Sequence, residues 1–212
     1  MKLADRAMVF VDGNNWYHGL TDIGIKRPGQ LNMKKVSEKL LGPREWVGTR
    51  YYVGQVSQEG NAALYAEQRR FLAGLKSTDG RISVHLGRLE KRSIENKSMD
   101  EVRRYLSSLP FRIERTVFRD LMNIAARNRK TAVWTEKAVD VMLAVDAVLM
   151  SERNEFDSAY LLTADGDFTP VADAVRSHGK KVYAASGSMG GRLAAAVDSF
   201  IRFERAWFRD CY

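Results

Sequence analysis

The stretch YLLTADGDFTPVADAVRSHGKKVYAA at residues 160–185 decides the fold, because it contains signals for a strand, a helix and a second strand in succession. An apolar run at 160–163 predicts the first strand, and the β-forming run at 181–185 predicts the second. The helix predicted over 169–178 ends at Gly179, and glycine is favoured just beyond helix C-termini. This order is typical of parallel sheets, whose strands are joined by crossover helices.

The same alternation extends along most of the remaining sequence. The unbroken apolar run AMVFV at 7–11 predicts a central strand buried on both faces, followed by a loop at Asp12-Gly13-Asn14-Asn15. We also expect strands over 46–56 and 81–86, and helices over 31–41, 61–76, 136–153 and 191–198. The sequence therefore predicts a three-layer α/β fold with a mainly parallel central sheet.

Length and composition limit the class of protein. The chain has 212 residues, 45% of them hydrophobic, and one cysteine, Cys211. These values favour a single globular domain and exclude an internal disulfide or a cysteine-based zinc ribbon. No apolar run approaches the roughly 18 residues that span a bilayer, and no signal-peptide pattern follows Met1. We therefore expect a cytoplasmic protein without a membrane partner.

The charge of the chain points to a polyanionic partner. Lys and Arg number 34 against 26 acidic residues, and the resulting net charge of +8 favours a nucleic acid as partner. Residues 87–130 contain 12 basic and 6 acidic residues, so most of the excess lies there. Residues 93–130 also interrupt the strand and helix alternation with two predicted helices, over 99–109 and 115–129. We interpret 93–130 as a basic helical insertion.

Two interpretations of the insertion remain open from the sequence. Its arginines could bind the phosphates of a nucleic acid, with interspersed aromatic rings available to stack on unpaired bases. Alternatively, they form an ordinary solvated helix face. The arginines in question include Arg103, Arg104, Arg115 and Arg119.

Acidic residues follow two of the predicted strands. Asp12 comes directly after the strand at 7–11, and Asp165 and Asp167 come shortly after the strand at 160–163. Ligands of parallel sheets bind beyond the carboxyl ends of the strands, so these carboxylates converge if the two strands are neighbours. Each motif alone also suits a turn or a helix cap.

The apolar helix predicted over 136–153 contributes further carboxylates. Asp140 has no basic residue three or four positions after it, so its burial would need another explanation. Glu136 would share a helix face with Asp140, whereas Asp146 lies about 120° away and should point elsewhere. Clustered carboxylates repel one another unless a hard cation neutralises them, and we therefore expect Mg²⁺ or Mn²⁺.

Three motifs together resemble a known family. VFVDGNNWY at 9–17, EKAVDVMLAVD at 136–146 and DSAYLLTADGDFTPVADAVRSHGKKVYAAS at 157–186 resemble, in order and spacing, the NYN domain family of PIN-like, LabA-like nucleases. The resemblance implies a PIN-like sheet with an acidic, Mg²⁺- or Mn²⁺-dependent site that cleaves RNA. Carried over by position, the catalytic and metal-binding carboxylates would be Asp12, Asp140, Asp165 and Asp167.

The resemblance also implies roles for polar neighbours of these carboxylates. Asn15 and Thr163 would take part in binding the substrate: Asn15 would help to hold a metal ion, a water or a phosphate, and Thr163 takes the family's small hydroxyl position beside the site. Asp146 matches a recurrent family position. The sequence departs from the family at Thr163-Ala164, where Ser-Gly is usual, and in the insertion at 93–130, which has no counterpart and contains no cysteine.

Three functions are consistent with these observations. The first is a metal-dependent ribonuclease that uses activated water. The second is a catalytically inactive RNA-binding or adaptor module, and the third is a Mg²⁺-dependent small-molecule phosphohydrolase. Beside the Asp12 motif, His18 is a candidate for substrate contact, and Trp16 and Tyr17 are either core residues or a platform for stacking bases.

Overall fold

The computed structural model describes the backbone of residues 5–56, 62–95, 98–110, 112–127 and 130–212, and their side chains except at 89–99 and 125–137. The chain divides into two compact units, one formed by Met1–Arg88 with Glu136–Tyr212 and the other by Leu89–Thr135. The second unit contains the insertion interpreted at 93–130 and extends past it at both ends. No helix in the described residues is long and apolar enough to cross a membrane.

The helices and strands alternate over most of the chain. In chain order they are β1 (Arg6–Asp12), α1 (Gly13–Asp22), α2 (Met33–Leu41), β2 (Glu45–Gln55), α3 (Ala62–Thr78), β3 (Ile82–Glu95), α4 (Ser98–Ser108), α5 (Arg115–Arg127), β4 (Lys130–Lys137), α6 (Val139–Glu152), β5 (Ser158–Leu162), α7 (Thr169–Ser177), β6 (Lys181–Ser186), α8 (Gly191–Ala196) and β7 (Ser199–Arg202). Short 3₁₀ turns lie at Pro28–Gln30, Gly166–Phe168 and Arg205–Phe208.

The strands form one sheet in the order β4-β3-β2-β1-β5-β6-β7. The six strands from β3 to β7 in this order are all parallel to their neighbours, which confirms the predicted parallel sheet. β1 lies between β2 and β5, with Val11 opposite Leu162 and Asp12 opposite Tyr52. The strands that precede the Asp12 and Asp165 motifs are therefore neighbours.

Helices cover both faces of this sheet, which gives the three layers that the sequence predicts. Side chains of a strand alternate between the two faces. Val9 and Val11 accordingly join the core beneath α1, α2 and α3, while Met8 and Phe10 join the core beneath α6, α7 and α8. β1 is thus buried on both faces, as its apolar run predicts.

The largest differences from the predicted boundaries occur at three places. The helix predicted from residue 136 begins at Val139, because Glu136 and Lys137 belong to β4, which pairs with β3. The loop predicted after β1 is the start of α1, and the strand predicted at 81–86 continues to Glu95. The C-terminal tail also contributes a strand, β7, that the sequence analysis did not predict.

The second unit contains the two helices predicted for the insertion, now bounded as α4 and α5. These helices pack against each other within that unit. The side chains of Arg103, Arg104, Arg115 and Arg119 are exposed. Residues 128–129, which the sequence analysis placed in the second helix, lie outside the described residues.

Candidate active site

Asp12 lies at the carboxyl end of β1 with only 5% of its surface exposed. The hydroxyl Oγ1 of Thr163, the residue after β5, donates a hydrogen bond to Asp12 Oδ2 at 3.1 Å. The backbone N–H of Asn15 donates to Asp12 Oδ1, also at 3.1 Å, so Asp12 is the N-cap of α1. Both carboxylate oxygens of Asp12 are therefore held in place.

The side chains of Thr163 and Asn15 tie the start of α1 to the loop after β5. Asn15 Oδ1 accepts the backbone N–H of Ala164 at 2.9 Å, and Thr163 Oγ1 accepts the backbone N–H of Asp165 at 3.1 Å. Thr163 is fully buried. Its hydroxyl therefore orients Asp12, and the substrate contact that the resemblance implies for Thr163 stays a prediction.

Asp165 and Asp167 lie in the turn that follows β5. Asp165 Oδ1 accepts the backbone N–H of Asp167 at 2.9 Å and caps the 3₁₀ turn Gly166–Phe168. The Asp167 side chain is 88% exposed, and its Oδ1 lies 3.9 Å from Nη2 of Arg192, which is 83% exposed. A surface ion pair of this kind contributes little to stability, so the Asp167 carboxylate is free to rearrange.

Arg192 is a residue of this site that sequence reasoning missed. Its guanidinium lies over the turn, since a Cβ added to Gly166 would lie 3.4 Å from Arg192 Nε. Arg192 is at the start of α8, within a segment that carries no recognisable motif. Arg192 comes to lie beside these carboxylates through the packing of α8 against the Asp165 turn, which its local sequence does not reveal.

Asp140 lies in the first turn of α6, two residues after Ala138, whose φ of 71° is in the left-handed region. Partial desolvation, followed by the charges of Asp165 and Asp167, raises the pKa of Asp140. Burial raises the pKa of Asp12 to about 6, with further contributions from Asp140 and Asp165. Carboxylates from three separate segments are therefore close enough to repel one another.

Asp146 and Glu136 do not join this group. Asp146 Oδ2 is ion-paired with Nη2 of Arg50 at 2.9 Å and accepts the hydroxyl of Tyr52 at 2.7 Å. It therefore fastens α6 to β2 and points away from Asp140, as the helix geometry predicts. Glu136 lies in β4, so the prediction that it shares a helix face with Asp140 is wrong. The side chain of Glu136 is outside the described residues.

The chemistry of the donors fits a hard divalent cation. Within the described residues, no three His, Cys, Asp or Glu side chains are already arranged to hold a metal ion. However, Asp12, Asp140 and Asp165 form no ion pair with any described basic side chain, and the charges of Asp140 and Asp165 contribute to the raised pKa of Asp12. Carboxylate oxygens are preferred ligands of Mg²⁺ and Mn²⁺. Asp12 is fixed by its hydrogen bonds, whereas Asp140 and Asp167 are exposed.

Comparison with known proteins agrees with the fold described above. The model of the NYN domain family matches residues 6–204, nearly the whole chain. A crystal structure of a protein of unknown function from Vibrio parahaemolyticus has the same fold, with a TM-score of 0.56, 16% sequence identity, and coverage of 97% of this chain and 96% of that chain. No functionally curated protein matches the chain.

Proposed function

Because the chain belongs to the NYN domain family of PIN-like nucleases, we propose that it is a metal-dependent ribonuclease. Family membership supports a hydrolase that acts on nucleic acids. We propose further that its substrate is RNA and that its cation is Mg²⁺ or Mn²⁺. The observation that carries it is the cluster of Asp12, Asp140 and Asp165, whose mutual repulsion a cation would relieve.

Each residue of the cluster has a separate task in this proposal. These three carboxylates, together with Asp167, would hold a divalent cation, which would activate water and offset charge on the scissile phosphate. Asp12 is held rigidly by Thr163 and Asn15, which fixes one side of the site. Asp140 and Asp167 would bind the cation from the solvent-exposed side of the site. The guanidinium of Arg192, also on that side, would bind a phosphate of the substrate.

One observation favours a second candidate, an RNA-binding or adaptor module without turnover. Asp167 already faces Arg192, and no three acidic or histidine side chains of the described chain stand ready for a metal. If the Asp167–Arg192 ion pair is kept when RNA binds, Asp167 does not hold a cation, and the protein would bind RNA through its basic surfaces and leave it intact. The two candidates differ in one measurable property, which is cleavage in the presence of Mn²⁺.

The experiment measures cleavage of end-labelled single-stranded RNA by the purified protein with Mn²⁺, Mg²⁺ or excess EDTA. We expect cleavage only with a divalent cation, with products carrying 3′-hydroxyl and 5′-phosphate ends. Asp12→Asn and Asp165→Asn should each lower the rate at least 100-fold without loss of fold. Asp173→Asn is the matched control, because Asp173 is an exposed carboxylate on α7 that forms no ion pair with a described side chain.

The possible outcomes separate the alternatives. Full activity in excess EDTA would show that the metal-dependent mechanism is wrong. Binding of RNA without cleavage in any of the cations would identify the adaptor module instead. Hydrolysis of a generic phosphate monoester, with RNA left intact, would identify the small-molecule phosphohydrolase.

A further inference from the structure

A cleft of about 740 Å³ opens directly beside the candidate active site. Gly13 and Asn14, the two residues that follow Asp12, form one end of its lining. Its lining also includes residues of α1, of the turn Pro28–Gln30 and of α3, as well as Tyr51 and Val53 at the end of β2. The cleft thus lies on the α1, α2 and α3 side of the sheet and reaches the residue next to the buried carboxylate.

The walls of the cleft are fixed by specific contacts. Gln68 of α3 donates its Nε2 to the carbonyl of Gly54 at 2.8 Å and accepts the N–H of Val56 at 2.9 Å. The ring of Phe71 meets Tyr51 edge to face at 5.7 Å between centroids. These contacts hold α3 at the end of β2, so the cleft is part of the folded structure.

The lining of the cleft combines positive charge with an exposed aromatic ring. Lys26, Arg27 and Arg70 line it and are exposed, and the one acidic residue among its described lining residues is Glu67. None of the three forms an ion pair with a carboxylate of the described residues. Tyr17 is 52% exposed at the cleft, whereas its neighbour Trp16 is 4% exposed and packs in the core.

We propose that this cleft binds a short single-stranded segment of nucleic acid next to the phosphate that is cleaved. Lys26, Arg27 and Arg70 contact backbone phosphates, and Tyr17 stacks on one base. An unpaired strand is required because the faces of paired bases are covered by their stacked neighbours. The proposal rests on the nuclease function proposed above and adds its substrate class and binding site.

The test measures binding of a fluorescent oligouridine to the Asp12→Asn protein in EDTA, so that no cleavage interferes. Affinity should fall linearly with salt on a double-logarithmic plot, and Arg70→Ala should reduce the slope by about 0.7. Arg69→Ala is the matched control, because Arg69 is the preceding residue of α3 and lies beside Tyr65, outside the cleft. Its slope should equal that of the unchanged Asp12→Asn protein.

The aromatic ring is tested separately. Tyr17→Ala should weaken binding about tenfold, whereas Tyr17→Phe should retain most of the affinity because the stacking ring remains. A duplex of the same length should bind more weakly than the single strand. Single-stranded DNA in parallel shows whether the cleft distinguishes the two sugars, and tight binding of either strand supports the proposal.

The results distinguish failure of this proposal from failure of the nuclease function. If Arg70→Ala and Arg69→Ala give the same slope, or if the protein binds no single strand, the cleft is not the binding site. If Arg103→Ala and Arg115→Ala reduce the slope while Arg70→Ala does not, the insertion binds the strand instead, and the proposal is overturned. If the cleft variants behave as expected but wild-type protein never cleaves RNA, only the nuclease function fails.

Discussion

Replacing Asp12 by Asn should make the metal-free protein more stable. Burial raises the pKa of Asp12 from 3.8 to about 6, so the folded protein binds a proton there more tightly than the unfolded chain does. Ionisation of Asp12 therefore destabilises the fold as the pH rises from about 4 to about 6. At 1.36 kcal/mol per pH unit, the destabilisation above pH 6 amounts to about 3 kcal/mol.

Asparagine removes this ionisation but keeps an oxygen that can accept the N–H of Asn15. We therefore expect Asp12→Asn to raise the free energy of unfolding at pH 8 in EDTA by about 1–3 kcal/mol, with no difference near pH 4. Urea denaturation followed by tryptophan fluorescence measures this at pH 4, 6 and 8. Saturating Mn²⁺, at about 100 times its dissociation constant, should add about 2.7 kcal/mol to the wild-type protein and less to the variant.

The control is the same chemical change at a carboxylate that has a cationic partner. Asp146→Asn leaves the half-buried guanidinium of Arg50 without its counter-charge, and should lower the free energy of unfolding at pH 8 by about 1–3 kcal/mol. The two variants should thus shift stability in opposite directions. If Asp12→Asn is less stable than wild type at pH 8, or if its effect does not change with pH, Asp12 has no raised pKa and the reasoning fails.

Two further predictions concern the supports of the site. Thr163→Val should weaken Mn²⁺ binding about tenfold in calorimetric titration, because Asp12 loses its hydroxyl partner, whereas Thr163→Ser should bind normally. Gly13→Ala should lower the free energy of unfolding in urea by about 1–3 kcal/mol, because its Cβ would lie 2.7 Å from the Tyr52 carbonyl oxygen. Gly74→Ala, in open space within α3, should instead raise it by up to about 1 kcal/mol.

The parallel sheet could be predicted because its signals are local. β1 and β5 are buried along nearly their whole length and are therefore continuous apolar runs. Gly179 marks the end of α7, and its φ of 75° explains why glycine stands there. The neighbouring positions of β1 and β5 then follow from the topology of parallel sheets, which brings Asp12 beside the Asp165 turn.

The start of α6 could not be predicted because tertiary pairing overrides local preference. Glu136 and Lys137 suit a helix by composition, but they are extended in β4 beside β3. The start of α1 was missed for a related reason, since Asp12 ends a strand and caps a helix at the same time. Arg192 and Arg70 reach their places only through the packing of α8 and α3, and no sequence pattern marks them.

Asp140 is the residue whose environment argues most directly for a function. A carboxylate in the first turn of a helix is normally stabilised by the helix dipole, which lowers its pKa. The pKa of Asp140 is raised instead, by partial desolvation and then by the charges of Asp165 and Asp167. Asp12 caps a helix and Asp165 caps a turn, so both also serve the fold. Since Asp140 caps no element and has no cationic partner among the described residues, we expect a bound cation to stabilise its carboxylate in this position.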